Sequence, residues 1–288
     1  MSTVSRMLLI VGCAAGCGRF DFASVADGGA GADARDGGVG DDAIDDAPAC
    51  TFEPWNVSSE ITAASSGMPE LQPALSPDGL VLVFARDNGG QLSLWATTRA
   101  SVGVPFSGVM QLTGLGSSTA FPMWSPDGTR LYFWDGAQKV ATHQGGASFG
   151  TPTNSGLPAT HVDGSLSDNE LELFASLNQK LGHATRASTL SAWQVDGMFD
   201  QLNLDFDTVG WPTFDDVRGD LYVEFKADVG DPARIAVMHR DGPALPFSAP
   251  SVIPEIPTNT GDPDISPDGR TLVHTRSGNL YMTTRSCQ

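Results

Sequence analysis

Phe121-Pro122-Met123-Trp124-Ser125-Pro126-Asp127-Gly128-Thr129-Arg130-Leu131-Tyr132-Phe133 decides the architecture of this chain. Pro126 presets one backbone angle and Gly128 accepts a positive φ, so Ser125–Gly128 reads as a tight turn. The Leu131-Tyr132-Phe133 run after it reads as a strand. The same turn recurs as Ser76-Pro77-Asp78-Gly79 and Ser266-Pro267-Asp268-Gly269, and in degenerate form as Ser167-Asp168-Asn169 and Asp215-Asp216-Val217-Arg218. The five turns start at residues 76, 125, 167, 215 and 266, at intervals of 49, 42, 48 and 51. A repeat of this length outranks any local reading. Leu80–Phe84, Leu171–Phe174, Leu221–Val223 and Thr271–Val273 follow the other turns as strands. A further strand comes next in each copy: Leu92–Arg99, a shorter Lys139–Thr142, Leu181–Arg186, Ile235–Arg240 and Leu280–Arg285. The Asp of each turn reads as a turn hydrogen-bonder and not as an acid catalyst.

Composition agrees with an all-β chain. The 288 residues include 33 Gly and 19 Pro, and only 17% are charged, which argues against a coiled coil or helical bundle. The formal charge is -18 and the pI about 4.3, so the surface repels phosphate backbones and nucleic-acid binding is excluded. Of that charge, -13 falls on residues 50–288. No run of 18 apolar residues offers a membrane span. His143, His161, His183, His239 and His274 form no metal-spaced pair, and no nucleophile elbow or phosphate-binding glycine loop is present. No cofactor and no metal are expected.

The phrase Phe121–Phe133, with its four relatives, resembles the repeat of TolB-type, WD-like β-propeller proteins. The resemblance covers nearly all of residues 50–288 and implies one four-stranded blade per repeat; it fixes fold far better than function. Five blades fit these residues at about 48 each. Six blades, the alternative, would need a sixth turn. The last repeat ends at Ser286-Cys287-Gln288, after its third strand. Phe52–Ile61 carries Phe, Pro, Val and Ile at offsets like those of Phe247–Ile256 in repeat four. The N-terminal segment is therefore expected to add the missing outer strand and close the ring. Cys50 and Cys287 would then meet at the end of one strand pair as a disulfide, which an exported protein can keep.

Residues 1–17 read as a secretory signal. Arg6 precedes Met7-Leu8-Leu9-Ile10-Val11-Gly12-Cys13-Ala14-Ala15-Gly16-Cys17. The ending resembles the lipobox of bacterial lipoproteins, with Cys17 (or Cys13) as the lipidated residue. Gly18 or Ala14 would follow the lipid in place of the retaining Asp, implying an outer-membrane lipoprotein facing the periplasm or the cell surface. Residues 18–49, rich in Gly, Ala and Asp, read as a disordered spacer, and 50–288 as the propeller.

The innermost strand of each blade precedes its turn. Four residues before the turn, the column is Gln72, Phe121, Asp163, Trp211 and Asp262; two before, it is Ala74, Met123, Ser165, Thr213 and Asp264. Alternate residues share a strand face, so both columns are expected at the channel mouth. Acids and aromatics together suit a sugar or peptide. The expected function is a monomeric, exported, lipid-anchored and non-catalytic binding module, holding an envelope protein, peptide or glycan. The alternative is a glycan hydrolase, with Asp163, Asp262 and Asp264 as candidate carboxylates.

Overall fold

The computed structural model describes residues 51–288 except 160, 178 and 244. The signal, the spacer, Cys13, Cys17 and Cys50 lie outside the described residues. Five antiparallel sheets follow one another, each built outward from an inner strand. Blade 1 comprises Glu70–Leu75, Val81–Asp87, Leu92–Thr98 and Ser107–Gln111. The inner strands of blades 2 to 5 are Ala120–Trp124, Val162–Leu166, Thr208–Asp215 and Thr260–Ile265. They touch one another in a closed cycle around a central channel. The fold is a five-bladed β-propeller, as the repeat arithmetic expects. Among the described residues no helix is long and apolar enough to cross a membrane.

Five apolar clusters hold the ring, one at each seam between blades. The second strand of blade 1 shows how. Val81 to Ala85 are all buried, and strand alternation divides them between two neighbours. Val81, Val83 and Ala85 face blade 2, while Leu82 and Phe84 face blade 5. A strand covered on both faces reads as a continuous apolar run, which is the pattern in the sequence.

The turns form as the sequence expects. Asp78 Oδ1 accepts from the Ser76 hydroxyl and the Leu80 amide, at 2.5 and 3.0 Å, and Gly79 has φ of 71°. Asp127 and Asp268 repeat the arrangement. In the degenerate third turn Asn169 does the work of the Asp, and Glu170 takes the left-handed position with φ of 57°. One strand differs from the reading: the third strand of blade 2 spans Gln138–Gly145 and not four residues, because it runs on into a small hairpin with Ser148–Phe149.

The N-terminal segment closes the ring. Ser59–Glu60 pairs with the last strand, Asn279–Thr284, placing Ser59 opposite Met282. Phe52 bridges Cys287, and Thr51 and Gln288 exchange both backbone hydrogen bonds. A device unread in the sequence reinforces this closure. Arg99, Arg186 and Arg285, each at the end of a third strand, donate Nε to the carbonyl of Gly79, Glu170 or Gly269 in the blade's turn. Arg99, Arg186 and Arg240 stack on Phe106, Trp193 and Phe247, each seven residues further on. In blade 5, Arg285 lies 3.8 Å over Phe52 of the closing N-terminal segment.

Candidate channel-mouth site

Gln72, Phe121, Asp163, Trp211 and Asp262 have φ of 53°, 54°, 48°, 48° and 47°. These are the left-handed angles that favour glycine, adopted by five repeat-equivalent non-glycine residues. Each sits in a bulge of its inner strand, as between Leu71 and Ala74 or between Gly261 and Asp264. Four of the five precede a proline: Pro73, Pro122, Pro212 and Pro263. Proline has no N–H to donate, and a bulge is where the ladder asks for none. The simple alternation assumed from the sequence therefore fails here. The bulge inserts a residue between the two columns, and they form separate tiers.

Hydrogen bonds tie each tier across blade seams. In the first, the Gln72 amide donates to Asp262 Oδ2 (3.2 Å), the Phe121 amide to Gln72 Oε1 (2.9 Å) and the Trp211 amide to Ser176 Oγ (2.5 Å). The Asp262 amide donates to the Glu224 carboxyl. In the second tier the Leu75 amide donates to Asp264 Oδ2 (2.5 Å) and the Ile265 amide to Thr213 Oγ1 (3.2 Å), while the Thr213 hydroxyl donates to Asp264 Oδ1 (3.3 Å). Each link crosses a blade seam, and all but the Thr213 hydroxyl bond satisfy an inner-strand amide. Gln72 is buried and serves this belt. Phe121, Asp163, Trp211, Asp262 and Asp264 are half-buried.

The structure brings Asp163, Asp262 and Asp264 close enough to interact, and adds a fourth acid that the sequence reading missed. Glu224 lies on the second strand of blade 4, Asp220–Lys226, nine residues after Asp215. Its repeat equivalent in blade 3 is Ser176. Gly261 makes room for it: a Cβ there would fall 1.9 Å from Glu224 Oε2. Burial raises all four acids, and mutual repulsion adds to this for Asp163 and Glu224. Asp163 is pushed well above the carboxylate range by burial and then by the charges of Asp262, Asp264 and Glu224. Glu224, buried beside Asp262, is raised to about 7 despite Lys226. Asp264 is raised to about 7 by burial against the pull of its hydrogen bonds, and Asp262 is raised for the same reason. A group of perturbed acids in a cleft marks a functional-site candidate. Among the described residues no three His, Cys, Asp or Glu side chains are arranged to hold a metal ion.

The mouth opens as a groove of 510 Å³ that includes Glu224, Lys226, Asp262 and Thr275. At the turn-bearing end a second depression is lined by Ser165, Thr213 and Asp264. The aromatic and acidic residues are distributed by blade. Asp163 of blade 3 has Phe121 of blade 2 on one side of the ring and Trp211 of blade 4 on the other.

No family model and no curated protein matches this sequence. Among solved structures, the chain is similar to an α-L-arabinofuranosidase from Podospora anserina crystallised with cellotriose, at TM-score 0.55 and 11% identity over 82% of this chain and 96% of the other. It is similar to the catalytic domain of a Coprinopsis cinerea GH62 α-L-arabinofuranosidase at TM-score 0.56 and 12% identity, over 81% and 97% of the two chains. TolB from Acinetobacter baumannii is also similar, at TM-score 0.43 and 14% identity, over 78% of this chain and 56% of that one. At these identities the likeness is one of fold alone.

Proposed function

We propose that the protein is an exported, lipid-anchored propeller that serves as a non-catalytic binding module of the cell envelope, with its ligand at the channel mouth. One observation supports this above the others. Five equivalent backbone positions share one strained conformation, and four of them donate their amide across a blade seam, yet they carry Gln, Phe, Asp, Trp and Asp. A constant frame with varied side chains is how a site is grafted onto a fold, and strain of this kind gathers at ligand sites. The TolB-type repeat and the lipobox-like ending supply the address: a lipid on Cys17 (or Cys13), an outer-membrane location, and a Cys50–Cys287 disulfide at the seam where Phe52 bridges Cys287.

Crosslinking in intact envelopes tests the reading. A discrete protein, peptide or glycan captured by the parent and lost in a Trp211→Ala, Asp262→Ala double variant is the expected result. The same capture by both would overturn the site. Metabolic labelling with a fatty acid should mark the parent and not Cys17→Ser; an unlabelled parent would sink the anchor.

A second reading, glycoside hydrolysis, is favoured by one observation. Glu224, held protonated to about 7, lies beside Asp262, and a proton-bearing carboxyl with a second carboxyl nearby is the equipment of acid–base glycosidases. Turnover of an aryl glycoside that disappears in Glu224→Gln would establish it.

A further inference from the structure

Ionised together, the acids of the mouth would carry more negative charge than the ring can compensate. Asp163, Asp262, Asp264 and Glu224 repel one another across three blades, and the cation acting on this group, Lys226, acts on Glu224. Asp262 and Asp264 have amide and hydroxyl donors. Asp163 differs: its Oδ2 is buried and accepts no hydrogen bond among the described residues. A buried carboxylate oxygen without a donor is costly, and such an orphan calls for a specific explanation.

We infer that the channel mouth recognises an organic cation, an alkylammonium or guanidinium group, which donates to Asp163 and lies between Phe121 and Trp211. This rests on the mouth being the ligand site. Three features converge on it. The orphaned oxygen needs a donor. The residues flanking it in the ring are aromatic, and aromatic faces attract cations most strongly when desolvated. Among the described residues the acids form no group of three that would hold a small metal ion. An alkylammonium or guanidinium group is found on a lysine or arginine side chain and on a free polyamine.

Equilibrium dialysis of the full-length protein with spermidine, with the peptide Gly-Gly-Lys-Gly-Gly and with its Nε-acetyl form decides the matter. At least one cation should bind, the acetylated peptide should not, and Asp163→Asn and Trp211→Ala should each weaken binding by roughly tenfold or more. Asp205→Asn, at an exposed residue outside the two inner-strand columns, should leave it unchanged. Spermidine without the lysine peptide would assign a free polyamine, and the reverse a peptide. No binding by either cation, or an equal loss in Asp205→Asn, would overturn the inference; the latter would show diffuse attraction to a chain of charge -18. If the cations fail while the double variant still loses its captured ligand, the binding module stands and only its cationic ligand falls. Because Asp163→Asn is expected to fold at least as well as the parent, lost binding cannot be ascribed to unfolding.

Discussion

Asp163→Asn should raise the melting temperature at pH 8 and leave it unchanged at pH 4. In the unfolded chain this carboxyl releases its proton near pH 4, whereas in the ring it keeps the proton well above that. A carboxyl raised by folding contributes stability that is present at low pH and lost as pH climbs through its folded value. Asp264 and Glu224, both raised to about 7, act in the same direction between about pH 4 and 7. His274 acts oppositely: burial lowers it to about 4, so its neutral form favours the fold and stability falls as pH drops from 6.5 toward 4. The parent's own pH profile therefore mixes terms of both signs, and the difference between variant and parent isolates the channel. Removing an ionisable oxygen that lacks a partner should gain about 1–3 kcal/mol at pH 8. For a domain of this size that is a rise of roughly 2–12 °C. Thermal unfolding at pH 4, 6 and 8 reads it. A variant less stable than the parent at pH 8 would show that Asp163 is compensated in place. A gain in stability beside a loss of binding is the trade-off expected of a functional site.

The repeat made the ring readable because its turn chemistry is local. Ser, Pro, Asp and Gly each act within a few residues, and even the degenerate Ser167-Asp168-Asn169 copy keeps the oxygen at Asn169 that the turn needs. Ring closure was readable for a different reason. The outer strand of blade 5 had to come from somewhere, and Phe52 stands where Phe247 stands in blade 4. The site was only half legible. Asp163, Asp262 and Asp264 lie on the strand that any propeller presents to its channel, so the fold alone nominated them. Their arrangement in two tiers depends on the bulge, whose signal was the proline three residues before four of the five turns. Glu224 was hidden because it lies on a second strand, in a column otherwise made of Ala85, Trp134, Ser176 and Thr275. Aligning that column would have exposed it as the one acid. The terminal arginines recur at uneven distances from their turns, so their common bond to a turn carbonyl emerges only in three dimensions.

Arg240→Met should be among the most destabilising single changes in the ring. Arg240 is 4% exposed and belongs to blade 4, yet its guanidinium reaches Glu172 of blade 3, with Nη2 at 2.5 Å from Oε2 and Nη1 at 3.0 Å from Oε1. It also lies over Phe174, Phe214 and Phe247 at 5.3, 4.9 and 4.9 Å from the ring centres. Burial alone would raise Glu172, but hydrogen bonds from His183 and Arg240 and the charge of Arg240 outweigh it and hold the carboxyl at about 2. Methionine keeps the apolar stem and removes the charge, leaving Glu172 half-enclosed with His183 as its remaining partner. Breaking a buried pair from one side costs about 3–5 kcal/mol, here a fall of roughly 6–20 °C. The pH dependence follows from the sign of the shift. A depressed carboxyl contributes stability above its unfolded value of 4.5 that is lost as pH falls toward 2. The deficit of the variant should therefore be full at pH 7 and shrink through that acid window. Adding Glu172→Gln removes the stranded charge and should recover part of the loss at pH 7, because the two sites share one interaction. If the double variant instead loses the sum of the single effects, the seam between blades 3 and 4 is held by its aromatic packing and not by the ion pair.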